Sequence, residues 1–353
     1  MADSVIIPAR MSTKWREAMR NVPLFDPCCL PEYCEASCFE QPNSEALLWY
    51  YKAGDRHLIY PFIKSEIKKD LLEVAGIDGP AYDIQTPYGY GGPQATSSDP
   101  SFLTAAWEEF DELAEEENII AEFCRLSIAR PNQQFLHPKM SVQFNRNAAI
   151  TNFSANTDEL FIQMQNRKAA RKAAKNGFVA CSVKPEIYVD EFQKIYQKTM
   201  VRKSAKDFFF FSPSYFTKLL QLNSDEQGMV AVFDGGRLVA GALVLFGSGI
   251  AIYHLAASDH NYLKFGVNNV VLAGVNDLAR ARGMDILVLG GGSTTSPDDG
   301  LLGFKKQHAS EIVPFCIGTR VLNHQKYECL KNTFGKRDAT ASPWFLFWHG
   351  LVW

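Results

Sequence analysis

Two apolar runs, Gln227–Phe233 and Arg237–Phe246, flank the turn Asp234-Gly235-Gly236. Such a pair closes into an antiparallel hairpin, because glycine takes the positive φ of a tight turn without a steric cost. The hairpin constrains everything around it. Gly249–Ala257 is a further strand, and the apolar period then becomes helical over Gly266–Arg282, ending at Gly283. Asp285–Leu289 reads as a buried strand, Leu301–His308 as a short helix, Ile312–Val321 as a strand and Asn323–Asn332 as a last helix. Upstream, a helix over Asp158–Asn176 ends at Gly177, a natural residue just past a helix end. A strand over Phe178–Val183 and a helix over Asp190–Lys203 follow, and Ser212-Pro213 opens another helix, since proline suits a first turn. The second half is therefore an α/β unit built on a hairpin-centred sheet.

The first half shows the same character. Arg56–Ile67 is a strand entered from a Gly54-Asp55 turn. Pro100–Asn118 is an acidic amphipathic helix, with Phe102, Leu103, Ala106, Phe110 and Leu113 at helical spacing. Ile119–Ile128 and Ala148–Phe153 read as strands, and Ser154–Thr157 offers helix N-caps. A length of 353 residues suits two domains. The expected organisation is α/β with mixed sheets flanked by helices: a domain over 1–150, a second over 151–335 and an aromatic-rich tail over 336–353.

Composition limits function. With 46% hydrophobic and 21% charged residues the chain is globular, and a net charge of −3 gives no global basic footprint for duplex DNA. A polyanion must meet a local patch. No apolar run reaches the ~20 residues that span a bilayer, and Met1–Arg10 lacks a signal-peptide pattern, so a cytoplasmic protein with reduced thiols is expected. Of eight cysteines, Cys28, Cys29, Cys34 and Cys38 crowd one segment without paired Cys-x-x-Cys spacing or a nearby His. They read as buried apolar fillers, and no metal site is expected.

Three segments carry candidate chemistry. In LGGGSTTSPDDGLLGFKK, Leu289–Lys306, a strand runs into Gly290, Gly291 and Gly292, then a polar loop, then a helix bearing Lys305 and Lys306. Glycines at a strand end admit a close ligand or backbone, and a following helix N-terminus favours anions. A solvent loop with two surface lysines is the plainer alternative. In RKAARKAAKNGF, Arg167, Lys168, Arg171, Lys172 and Lys175 fall on one helical face. That face is either solvated or set against phosphates. The loop TPYGYGGP, Thr86–Pro93, brings Tyr88 and Tyr90 together with Gly91 and Gly92, for stacking and backbone contact with a substrate or as a tight aromatic-packed turn.

Together with Tyr253–Ser258 and the helix over Asn268–Gly283, these segments occur in the order seen in the FemAB/FemX family, which the chain resembles over roughly Pro61–Val321. The resemblance implies tandem GNAT-like domains. Well-known members move an amino acid from aminoacyl-tRNA onto an amine, in peptidoglycan bridges or peptide natural products, and others accompany exopolysaccharide loci. The chain lacks the long heptad arm of some bridge-forming members.

Acyl transfer of this type needs positioning, oxyanion donors and a proton acceptor rather than a covalent intermediate. Lys305 is the expected anion or oxyanion donor. Tyr253 and Asp298 or Asp299 are expected to orient the acceptor, while His254, inside a strand, reads as a packed residue. No tightly bound cofactor is expected: aminoacyl-tRNA or acyl-CoA is a co-substrate. A CoA pyrophosphate turn would fall at Asn261–Asn269, which has only Gly266, so the tRNA-type donor is preferred. The acceptor would be a cell-wall precursor, an amino sugar or a peptide. Two alternatives remain: an acyl-CoA-dependent N-acetyltransferase and an inactive binding module. The tail, with Trp344, Trp348 and Trp353, either packs back on the protein or meets a membrane interface.

Overall fold

The computed structural model describes residues 2–38, 43–153, 173–296, 298–334 and 345–352. Contacts divide the chain into two compact units, residues 1–144 with 316–353, and residues 145–315. The sequence reading drew its boundaries at 150 and 335. The difference arises because one late strand is shared out at 315/316, which returns the C-terminal segment to the first unit.

In the first unit, β1 (Ala2–Pro8), β2 (Ser44–Ala53), β3 (Arg56–Glu66), β4 (Tyr82–Gln85) and β6 (Ile119–Arg125) lie in that order, and β5 (Gln94–Ala95) pairs with β3. Neighbours are antiparallel except β4 and β6, which are parallel. Residues 317–321 of the final strand, β13 (Glu311–Val321), pair antiparallel with β6. The helices are α1 (Ser12–Arg20), α2 (Pro31–Cys38), α3 (Lys69–Val74) and α4 (Pro100–Glu116), with α9 (His324–Phe334) after β13. The helical spacing read in α4 is realised: Phe102, Ala106 and Phe110 are buried, and Leu103 and Leu113 partly so. Trp107 joins them, donating its indole N–H to the Phe135 carbonyl at 3.1 Å. Trp49, Tyr60 and Phe62 from the sheet complete this core.

The apolar setting holds one ionic network. Glu122, on β6, is fully buried and accepts from Tyr60 Oη (2.8 Å) and Arg320 Nε (2.7 Å). Arg320, on β13, also pairs with Asp111 of α4. The N-terminal cysteines Cys28, Cys29 and Cys34 are buried, and burial pushes their thiols upward, Cys28 to about 12. Among the described residues no group of three His, Cys, Asp or Glu is arranged to hold a metal ion.

The described part of the tail packs onto the first unit. Leu346 and Trp348 are buried, and the ring of Phe345 stacks on Tyr327. Trp348 Nε1 donates to Asp83 at 2.7 Å, and His349 Nε2 lies 2.9 Å from the same carboxylate. Trp344 and Trp353 fall outside the described residues. No helix among the described residues is long and apolar enough to cross a membrane. Burial opposes a charge on His349, but Asp83 outweighs it and raises the pKa. The tail is therefore held most firmly when this imidazole is protonated, and that contribution is lost as pH rises through the raised value. Protection of the Phe345–Val352 amides, taken relative to the intrinsic exchange rate at each pH, is expected to fall as pH rises through that raised value, and His349→Leu should abolish the fall.

In the second unit the sheet order is β7 (Ser141–Asn152), β12 (Ile286–Gly291), β11 (Ile250–Ser258), β10 (Arg237–Gly247), β9 (Gln227–Asp234), β8 (Ala180–Val183). All pairs are antiparallel except β11 with β12. The expected hairpin is β9–β10, with Gly235 and Gly236 at positive φ. The helices are α5 (Pro185–Arg202), α6 (Pro213–Leu219), α7 (Val267–Ala281) and α8 (Gly300–Lys306). The helix expected from Asp190 starts five residues earlier, since Pro185 stands at its first turn. β7 starts at Ser141 rather than Ala148, and its first four residues are exposed, Val142 and Phe144 included. The helix expected over Asp158–Asn176 lies almost wholly outside the described residues.

Candidate active site

β11 and β12 pair over only three residues each, Ile250–Ile252 with Ile286–Val288, although β11 continues to Ser258 and β12 to Gly291. Both strands carry an irregularity there. On β11 the register with β10 slips between Leu255 and Tyr253, leaving His254 as an extra residue. On β12 the register with β7 slips at Leu289, and Gly290 has φ +84°. Bulges bend strands and re-aim side chains. Beyond Val288 the parallel pairing is finished, and the C-terminal ends of parallel strands are where open α/β sheets take ligands.

The glycine loop continues from that point. A Cβ on Gly291 would stand 2.8 Å from Arg146 Cδ, and one on Gly292 would stand 2.4 Å from Asp299 Oδ1. The glycines thus make room for the protein's own charged side chains. Asp299 accepts from Ser293 Oγ (2.7 Å), Thr294 N (2.8 Å), Thr294 Oγ1 (2.9 Å) and, as N-cap of α8, from Leu302 N (2.8 Å). Burial pushes its carboxyl up, but these donors outweigh it and hold it well below the usual carboxylate range. Gly292→Ala should displace Asp299 and release the loop, costing about 1–3 kcal/mol of stability and most of the activity. Denaturant titration beside a turnover assay checks both, and an unchanged variant would contradict the packing described here.

Pinning the loop sets α8, and α8 carries Lys305. Its ammonium donates to the Gly291 carbonyl at 2.8 Å, while Arg146 Nη1 donates to the next carbonyl, Gly292, at 3.0 Å. Lys203, at the end of α5, stands close enough to act on Lys305 electrostatically. Arg146, Lys203 and Lys305 have no carboxylate ion pair among the described residues. Burial, with the neighbouring charges of Lys203 and Arg146, brings Lys305 down to about 7, Asp299 opposing in part. Lys305 therefore changes charge near neutral pH in a site of positive potential, the condition for binding an anion or stabilising a developing one.

The other expected residues are distributed as follows. Tyr253 lies on β11 just beyond its pairing with β12, still paired with Val244 of β10, half-buried against the core of the second unit, its phenol pushed up by burial. His254 pairs with Tyr215 Oη at 2.7 Å, and burial drives it down to about 3, so it is neutral. Asp298 and Lys306 are exposed. Gly291, Gly292, Asp299 and Lys305 are brought together, whereas Tyr253 makes no hydrogen bond to them. Arg167, Lys168, Arg171 and Lys172 lie outside the described residues, and Lys175 is exposed. Tyr88, Tyr90, Gly91 and Gly92 belong to the first unit. There Asn132 Nδ2 donates to the Gly91 and Pro93 carbonyls, and Tyr33 Oη donates to the Tyr88 carbonyl. Sequence reading missed Arg146 and Lys203, which no local pattern marks.

Residues 164–305 match the family of acetyltransferase (GNAT) domains. No curated protein matches the sequence. Among solved structures, the fold is similar to FemX, with a TM-score of 0.69 and 15% identity over 92% of this chain and 99% of that one. It is also similar to the C-terminal domain of an Agrobacterium fabrum protein provisionally assigned as a lysylphosphatidylglycerol synthetase (TM-score 0.58, 14% identity, 92% and 94% covered). L-PGS from Bacillus licheniformis is a third (TM-score 0.53, 14% identity, 87% and 98% covered). The chain thus has a FemX-like fold, a mixed α/β architecture, and most of its second unit lies in the segment that matches the acetyltransferase (GNAT) domain family.

Proposed function

We propose that this protein transfers an acyl or aminoacyl group from an activated ester or thioester onto an amine, in cell-envelope, polysaccharide or peptide biosynthesis. The observation that carries the reading is Lys305, half-buried without a carboxylate ion pair at the ends of two diverging parallel strands, inside the region that matches a GNAT domain. In the reaction the amine attacks the carbonyl carbon and the carbonyl oxygen takes up negative charge. As the carbonyl re-forms, the carbon–oxygen or carbon–sulfur bond breaks, the amine's proton passing, directly or through water, to the leaving oxygen or sulfur. Protonated Lys305, with Arg146 beside it, offers positive charge to the carbonyl oxygen. Tyr253, on the facing strand, is placed to orient the acceptor, and Asp299 acts by holding the loop, not by touching substrate.

Aminoacyl-tRNA is the preferred donor. A likeness of fold to FemX and to lysylphosphatidylglycerol synthetase-type proteins supports it, as does the basic segment Arg167–Lys175. A second reading, acyl-CoA as donor, is favoured by the acetyltransferase domain match and by the first turn of α7. The N-cap of that helix is Gly266, with φ +77° and no side-chain cap, and since the Asn269 and Val270 amides turn back to the Gly266 carbonyl, those of Val267 and Asn268 are the ones a pyrophosphate would take.

The test is transfer of label from acetyl-CoA and from a charged tRNA pool to a panel of amines. Transfer from tRNA, with a salt slope that flattens when the basic segment is charge-reversed, supports the first donor. Transfer from acetyl-CoA alone selects the second. Donor binding without transfer to any amine would reduce the protein to a binding module.

A further inference from the structure

The first unit holds a second, half-buried cation that no part of the transfer chemistry above employs. Arg125 ends β6, beyond the last paired residues of the parallel strands, Gln85 and Phe123. Its guanidinium lies over the Phe123 ring, 4.8 Å from the centroid. One Nη donates to the Thr86 carbonyl at 2.8 Å and the other to Gln85 Oε1 at 3.1 Å. Both partners are neutral. No carboxylate forms an ion pair with Arg125 among the described residues. Asp83, two residues before Gln85 on the same strand, is already engaged by Trp348 and His349. Burial lowers the Arg125 pKa to about 10, with the Tyr88 and Tyr33 phenols partly offsetting it.

A guanidinium offers five N–H donors in a planar fork, and two of them are engaged here. Among the described residues the other three N–H donors meet no acceptor. A half-buried cation partnered by two neutral oxygens and an aromatic ring has given up part of its hydration without a counter-charge. A two-oxygen anion restores the balance by meeting the fork bidentately. The site sits at the C-terminal ends of parallel strands, the usual ligand position in such sheets. The adjoining loop is held by Tyr33 and Asn132, so the site is built before any ligand arrives.

We infer that Arg125, with Gln85 and the Tyr88 loop, forms an anion-recognition site in the first unit, taking a carboxylate or phosphate group. That this group belongs to the acceptor rests on the transferase reading; the binding does not.

The experiment follows the arginine Nε–H resonances of the intact, arginine-labelled protein during separate titrations with inorganic phosphate, acetate and chloride. One resonance is expected to shift saturably with phosphate or acetate and not with chloride, and the stronger of the two names the ligand chemistry. Arg125→Gln should remove it, and Arg125→Lys, which keeps the charge, should weaken binding by about 10- to 100-fold. Lys305→Ala controls for the cations of the second unit and should leave the response intact. A response that disappears in Lys305→Ala, or no arginine response to either anion, overturns the inference. Anion binding at Arg125 in a protein that transfers nothing would leave this site standing while removing the transferase reading. Transfer activity without any Arg125 response would do the reverse.

Discussion

Lys305→Met is expected to yield a protein that is more stable than the wild type and at least about 100-fold slower in transfer. Both effects have one cause. In the folded protein Lys305 titrates at about 7, far below the ~10.4 of a free lysine, because its surroundings are buried and positively charged. Below the folded value the charged amine is present in both states, and the folded state bears the whole cost of burying it. As pH rises from about 7 towards ~10.4 the unfolded state alone holds the proton, so wild-type stability climbs and the cost fades. Methionine of similar length removes the cost, and the gain should be about 1–4 kcal/mol below pH 7, shrinking towards pH 10. Denaturant titration at several pH values measures it. If Lys305 acts as a cation on the oxyanion, wild-type turnover falls as pH rises through about 7. A rate that rises instead would assign Lys305 as a base and remove the oxyanion role.

Arg320→Met should destabilise the first unit by about 3–5 kcal/mol, the largest stability loss expected from any single change described here. Removing the guanidinium leaves the fully buried Glu122 carboxylate with only the Tyr60 hydroxyl. The second substitution decides the cause. In Arg320→Met/Glu122→Gln the uncompensated charge is gone, and much of the loss should return, with a coupling energy well above additivity. Equal losses in the single and double variants would point to packing against Trp107 and Phe110, which the guanidinium overlies at 6.0 and 5.7 Å from the ring centroids. Activity in the second unit serves as a control that the variant retains a folded transferase site.

Much of the fold is legible in the chain. The β9–β10 hairpin follows from two apolar runs and a Gly-Gly turn, α4 from an apolar face of helical period, and α7 from its span between Gly266 and Gly283. Each is a local pattern with a local physical cause. Elements without such a cause were invisible. The first half of β7 is exposed on most of its length, Val142 and Phe144 included, and α2 carries little period. The exception is α1, since Trp15, Ala18 and Met19 are buried at i, i+3 and i+4, a local signal that sequence reading missed.

The candidate site divides along the same line. By itself the sequence determined that a glycine-rich strand end leads into a helix bearing Lys305, because spacing and residue type are local facts. Only the tertiary structure decided what the glycines are for. Gly291 and Gly292 give space to Arg146 and Asp299, and Arg146 comes from a strand 145 residues earlier in the chain than Gly291. The same holds for the charge on Lys305. Its titration near 7 depends on burial and on Lys203, a residue about a hundred positions away. Desolvation and Coulomb terms act through space rather than along the chain, so a residue's chemistry is set by neighbours that sequence spacing does not reveal.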